Sequence, residues 1–271
     1  MPEGNTIHRF ARQHNRDLAG RRVKASAAQS RFARQARALD GRVFERAEAR
    51  GKHLFHHWRG GPIVHIHLGM FGDFYRRAAP APPPRETVRL RLATRDAVWD
   101  LIGPPTCEIV TAEERAAILA RLGPDPLSLR PDARRVIEKL ERTDLPIARA
   151  LLDQRIVSGV GNIYRAEALF VTGVHPLRPA SSLTREELER LWGAVTRMMR
   201  RGVGQERIST IEAGDRAAAR RGGRRFYVYG EAVCLRCGGP VKRFPLAGRT
   251  AYACPVDQPL TASRRRGAKS R

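Results

Sequence analysis

The sequence predicts an α+β fold in three parts: an N-terminal β-sandwich domain with a leading helix, a helical domain, and a small cysteine hairpin at the C-terminus. Three observations predict it. Short apolar-polar alternations fill residues 22–110, helical spacing with capping boxes takes over from Thr111, and three cysteines stand at knuckle spacing near the end. The parts read as 1–116, 117–222 and 223–260, followed by a basic tail, 261–271, expected to be disordered.

The first helix rests on Ile7, Phe10, Ala11, His14 and Leu18, which fall at helical spacing behind Asn5, a residue type that caps helices. This helix holds the chain terminus in place. Strands follow at Val43–Ala47, His53–Trp58, Ile63–Leu68, Thr87–Ala93 and Ala97–Ile102, and the alternation in Thr87–Leu92 gives one face to a core and one to solvent. The prolines at 80–84 lie between two strands, so they form a loop inside the domain. Thr111 with Glu114, and Thr184 with Glu187, read as capping boxes. Behind the second, Leu188, Leu191, Trp192, Val195, Met198 and Met199 make one apolar stripe, so the methionines are core. Between these helices Ser158-Gly159-Val160-Gly161-Asn162 reads as a tight turn, and Arg216–Arg225 as a connection to the hairpin.

The 271 residues suffice for more than one core, and 51 basic against 27 acidic side chains give a net charge of +24. A polyanion is the expected partner, nucleic acid first, although only five of the basic residues are lysine and part of the excess reflects an arginine-rich composition. With aromatics at 6 %, the stacking platforms of single-strand RNA binders are not evident. Polar residues at Glu3, His8, Arg9 and Arg12 exclude a signal-peptide core, and no run of apolar residues reads as a membrane span. The expectation is a soluble, cytoplasmic, nucleoid-associated monomer. In that compartment four cysteines read as metal ligands or free thiols rather than disulfides.

The chemistry begins at the terminus. Once Met1 is removed, Pro2 presents a secondary amine beside the Glu3 carboxyl. An α-amino group titrates at about 8, well below a lysine, so part of it is free to attack an electrophilic sugar C1′ and form a Schiff base. Lys52, after Gly51 at a strand start, can pair a phosphate or move a proton, or can be a solvated lysine. Met70, at a strand end, is either core or an apolar plug. The glycine turn at 159–161 lets backbone approach a ligand, and free amides at the helix start bind phosphate. Cys234 and Cys237 are separated by sixteen residues from Cys254, and Asp257 follows where a fourth cysteine would complete a structural zinc site. Against zinc stands a metal-free hairpin held by Phe226, Tyr227, Tyr229, Phe244 and Tyr252. Cys107 reads as a small buried apolar residue, and His65 and His67 as structural.

Taken together, Pro2-Glu3-Gly4, Gly51-Lys52-His53, the turn from Asp153 to Tyr164, and Arg249-Thr250 before Cys254 resemble the formamidopyrimidine-DNA glycosylase and endonuclease VIII family. The resemblance implies a β-sandwich, a helix-two-turn-helix domain and a C-terminal zinc-finger hairpin, with double-stranded DNA carrying a damaged base or an abasic site as partner. It implies that Pro2 attacks C1′, Glu3 protonates, Lys52 acts in elimination and Arg249 grips the lesion phosphate. It also implies that Asn162 and Arg121 contact DNA, that Met70 fills the gap left by a flipped base, and that one structural Zn2+ is held by the finger. Two departures stand out: Thr6 replaces a second glutamate, and Asn5 a frequent proline. The segment Asp100–Cys107 lacks the Arg-x-Phe pair of the 8-oxoguanine enzymes, which leans the resemblance toward the endonuclease VIII branch. The function implied is excision of oxidised bases, pyrimidines first, with strand cleavage by β- and δ-elimination. The rivals are a catalytically weak damage-binding protein and a glycosylase preferring 8-oxoguanine or formamidopyrimidine.

Overall fold

A computed structural model describes residues 2–260, so the tail expected at 261–271 lies outside the described residues. The chain divides into two compact units, Met1–Leu122 and Gly123–Arg271.

The first unit runs α1 (Gly4–Leu18), β1 (Lys24–Ser26), α2 (Ser30–Leu39), β2 (Phe44–Arg50), β3 (His53–Trp58), β4 (Ile63–His67), β5 (Asp73–Ala78), β6 (Val88–Ala93), β7 (Ala97–Ile102), β8 (Thr106–Val110) and α3 (Ala112–Ala120). Two four-stranded antiparallel sheets form, in the orders β1-β6-β7-β5 and β2-β3-β4-β8. One core joins them: Phe44, Leu54, Trp58 and Ile66 from one sheet meet Phe74, Leu92, Trp99 and Leu101 from the other. The central strands β3 and β7 are buried at almost every position, which is why they read as apolar runs rather than alternations. Helix α1 buries Ile7, Phe10, Ala11, His14 and Leu18 on this core, as its spacing predicts.

Its start differs from expectation. Glu3, not Asn5, is the N-cap residue, without a side-chain cap bond, and Asn5 is buried in the first turn. Helix α2 was not expected within a stretch read as strands. Its Phe32, Ala36 and Leu39 bury one face while Arg31 and Arg37 stay exposed, a helical period that short-strand reading passed over. The Thr111–Glu114 box forms both of its bonds at α3.

The second unit runs α4 (Ala133–Glu141), α5 (Ile147–Ala150), α6 (Asn162–Val171), α7 (Arg185–Val203), α8 (Arg216–Arg221), β9 (Lys242–Leu246) and β10 (Arg249–Ala253). Helices α4 to α7 share a core that includes Val136, Leu140, Leu169, Leu191, Met198 and Met199, so both methionines are interior. The Thr184 box closes at α7 with both bonds present. The stretch at 216–221, read as a connection, is instead a short helix. A second cluster joins the other face of α6, through Ala166 and Phe170, to Tyr227, Val228, Cys234, Val241 and Cys254.

Candidate functional site

Each functional side chain in the first unit is held by a link to α1. Asn15 exchanges two bonds with the Ala47 backbone, at 2.9 and 2.6 Å, and so fixes α1 to β2. Asp17 accepts from Arg76 at 2.7 Å and from Trp99 Nε1 at 3.1 Å, which fixes the same helix to β5 and β7. Pro2 is half-buried directly before the helix, and Glu3 is fully buried, its carbonyl accepting from Thr6 and Ile7. Strand β2 then runs into a hairpin closed by Arg50 opposite His53, with Gly51 at φ +56° and Lys52 in the turn. Two residue types that sequence reasoning paired by chemistry, the amine-bearing Pro2 and Lys52, are thus carried by two elements bonded to one another.

Around Lys52 lie His53 and His67. Burial first, then His65, His67, Arg121 and Lys52, holds His53 down to about 3, and burial with Lys52 lowers His67 as well. Arg121 is exposed at the C-cap of α3 and contributes to that positive field. His65 is 5 % exposed and hydrogen-bonded, in keeping with a structural role.

The segment after β4 forms a tight tip. A Cβ on Gly69, at φ +60°, would sit 2.7 Å from Pro105, and one on Gly72 would sit 2.4 Å from the Leu68 carbonyl. Only glycine fits at either side, so Met70 at 42 % and Phe71 at 84 % exposure are displayed between them. Met70 is therefore not core. Phe71 was missed from the sequence; its signal was an apolar pair bracketed by glycines.

In the second unit Gln154 ties the turn together: its amide donates to Leu152 and Val160 and accepts from Gly159, which sits at φ +90°. Gly123 packs so closely that a Cβ would meet the Ile156 carbonyl at 2.4 Å. Asn162 begins α6, is 6 % exposed, and donates to the Thr250 carbonyl at 3.1 Å. Arg165 also donates to Thr250, at 2.9 Å, and to the Asn162 side chain. The turn thereby reaches the hairpin strand that opens with exposed Arg249. One turn further on, the buried Glu167 carboxylate accepts from the amides of Tyr227, Val228 and Tyr229 and from the Thr210 hydroxyl. Arg165 and Glu167 were missed too, although charges within an otherwise apolar helix mark sites of this kind.

Cys234, Cys237, Cys254 and Asp257 bring one ligand atom each to within 4.8 Å of all the others. Asp257 Oδ2 lies 3.2 Å from Cys234 Sγ and 3.1 Å from Cys254 Sγ, and Cys237 Sγ lies 3.4 Å from Cys254 Sγ. Around tetrahedral zinc with Zn–S of about 2.3 Å, ligand atoms stand roughly 3.5–3.8 Å apart, so the cluster matches to within a few tenths of an ångström. Amides of Gly239 and Asp257 point at two of the sulfurs, as they do toward thiolates. Cys107 lies apart from this set, packed on the sandwich core, its thiol pushed up to about 12 by burial.

A family model described as the formamidopyrimidine-DNA glycosylase N-terminal domain matches residues 1–101, and one described as the formamidopyrimidine-DNA glycosylase H2TH domain matches 122–213. Endonuclease 8 1 of Mycobacterium tuberculosis is 40% identical over 274 residues, covering 95% of this chain and 100% of that protein. Formamidopyrimidine-DNA glycosylase of Desulfitobacterium hafniense is 34% identical over 270 residues, covering 95% and 98%. Among solved structures, the Lactococcus lactis formamidopyrimidine-DNA glycosylase bound to abasic-site DNA superposes with a TM-score of 0.77 at 22% identity, covering 95% of this chain and 99% of that one. No helix among the described residues is long and apolar enough to cross a membrane.

Proposed function

The chain belongs to the formamidopyrimidine-DNA glycosylase and endonuclease VIII family, and from that premise we propose that it is a bifunctional DNA glycosylase and abasic-site lyase of base excision repair. With Met1 removed, the Pro2 amine attacks C1′ of the damaged nucleotide while Glu3 supplies the proton that the leaving base needs. The resulting iminium acidifies the C2′ proton; its loss expels the 3′ phosphate, and a second elimination releases the 5′ phosphate. Lys52 serves these eliminations. Arg121, Asn162 and Arg249 supply cationic and amide contacts to the phosphates, and Met70, with Phe71 beside it, fills the gap in the stack. Cys234, Cys237, Cys254 and Asp257 would hold one structural zinc, which closes the hairpin that carries Arg249.

The observation that carries the reading is the double Asn15–Ala47 bond, which locks the helix behind Pro2 and Glu3 to the strand leading into Lys52. Oxidised pyrimidines are the proposed lesions, favoured by the apolar tip and the missing Arg-x-Phe pair. Thr6 and Asp257 favour the second reading, a weakly catalytic damage-binding protein.

A nicking assay over duplexes bearing an oxidised pyrimidine, 8-oxoguanine or a preformed abasic site decides between them. Glu3→Gln is expected to slow base removal by about 10²-fold or more and to leave abasic-site incision within a few-fold, because only base removal requires leaving-group protonation. Binding without incision of any duplex would favour the second reading.

A further inference from the structure

Beside Lys52 the β3–β4–β8 ladder sets a chain of polar side chains that the reaction above does not use. His53 opens β3 opposite His67, His65 lies opposite Phe55 on one side and opposite Glu108 on the other. His53 Nδ1 is 2.9 Å from His65 Nε2, and His65 Nδ1 is 3.0 Å from Glu108 Oε1.

Hydrogen-bond valence assigns the protons. A carboxylate only accepts, so His65 Nδ1 carries a hydrogen and donates it to Glu108. A neutral His65 then has a lone pair at Nε2, which must receive its hydrogen from His53 Nδ1. His53 is left with a bare Nε2 that can only accept. The charged groups acting on His53 are Lys52 and Arg121, with His65 and His67 as the other titratable neighbours. An ammonium and a guanidinium only donate, so they complement that lone pair, whereas a phosphate oxygen would be repelled by it. His53 stays neutral in this setting, held down to about 3 by burial and by those neighbours.

We propose that His53 is a positioning residue for Lys52: its bare Nε2 accepts a hydrogen bond from the Lys52 ammonium, and the Glu108–His65 pair fixes the tautomer that makes this possible. The inference rests on the role proposed for Lys52 in elimination. The ammonium is a point charge on a flexible stem, and one fixed acceptor narrows its orientations before DNA arrives. Glu108, with its side chain 55% exposed, anchors the chain of bonds at the surface.

Two substitutions at His65 separate positioning from packing. His65→Gln keeps both bonds, since its NH2 donates to Glu108 and its carbonyl accepts from His53. His65→Phe keeps the packing, since His65 already stacks on Phe55 at 5.0 Å and 20°, but makes neither bond. Positioning predicts that Gln outperforms Phe; packing in a buried slot predicts the reverse. The full chain is assayed by single-turnover elimination on preformed abasic duplex, with borohydride trapping of the Schiff base measured in parallel. His65→Phe is expected to slow elimination about tenfold and His65→Gln about twofold, with trapping yield unchanged in both, the scale typical of groups that orient a charged centre. Long-range 15N spectra of the imidazoles should show His53 protonated at Nδ1 in the unaltered protein and in His65→Gln only.

A Phe variant as fast as the Gln variant, or trapping and elimination falling together, overturns the proposal. Should His65→Phe not fold, Glu108→Ala at the exposed end takes its place: slowed elimination with normal trapping supports the proposal, and an unchanged rate overturns it. Absence of trapping in the unaltered protein would instead contradict the lyase reading, and positioning of Lys52 with it.

Discussion

Met70 and Phe71 stand out of the first unit because the glycines on either side leave the loop no room to fold them back. An exposed apolar pair on a tight tip gains nothing in the free protein, so its use is with a partner that offers a gap. Met70→Ala with Phe71→Ala is expected to weaken incision of a lesion in duplex DNA by about tenfold or more, while a lesion in single-stranded DNA loses little, since only the duplex has a hole to fill. Equal losses on both substrates would mean that the tip serves folding instead. The opposite case is the buried pair His14 and His56, whose facing nitrogens are 3.0 Å apart inside a cage of Phe10, Phe44, Phe74 and Trp99. Burial holds His14 down to about 3 and His56 well below its ordinary value of 6.5. Both are depressed bases, so the unfolded chain binds more protons below that ordinary value. Stability is full above about pH 6.5 and is lost as pH falls toward 3, at roughly 1 kcal/mol per pH unit for each imidazole. His53 adds to the same acid limb. Melting temperatures at pH 7 and pH 5 check this: His14→Phe with His56→Phe should flatten the decline, and an unaltered slope would rule the pair out as its source.

The element that does most in the second unit is α6, which bonds the turn at its start and the hairpin along its length through Asn162, Arg165 and Glu167. The glycine turn and the cysteine spacing were legible in the sequence because each rests on local rules: glycine where the backbone turns sharply, sulfur at fixed intervals where a metal is held. The bonds from Arg165 and Glu167 were not legible, since their partners lie about 60 to 85 residues away and no local pattern encodes them. Helix α2 was legible in principle, through Phe32, Ala36 and Leu39, but a strand period imposed on its neighbours hid it. The cysteine hairpin carries its own prediction. Protein purified without chelator should hold close to one zinc per chain, and Asp257→Ala should lower occupancy and loosen the aim of Arg249. Zinc retained in full by Asp257→Ala would show that Asp257 is not the fourth ligand; no zinc alongside full incision would leave the aromatic residues as the sole support.

For the molecule as a whole, the order of its parts followed from periodicity, caps and cysteines, and the chemistry from residue types that few other reactions require: a proline amine beside a carboxyl, and a lysine after glycine. What the sequence withheld was the pairing of the strands into two sheets, because β-register is set by contacts between distant segments. The link between Pro2 and Lys52 was hidden for the same reason, since it runs through Asn15 and Ala47. The claim at the centre of the account is that the Pro2 amine is the nucleophile. Borohydride reduction in the presence of abasic-site DNA tests it most directly: the account predicts a covalent complex with the mature protein, mapped to Pro2 by mass spectrometry and largely lost in Pro2→Gly, and undiminished trapping in Pro2→Gly with a lysine modified instead would contradict it.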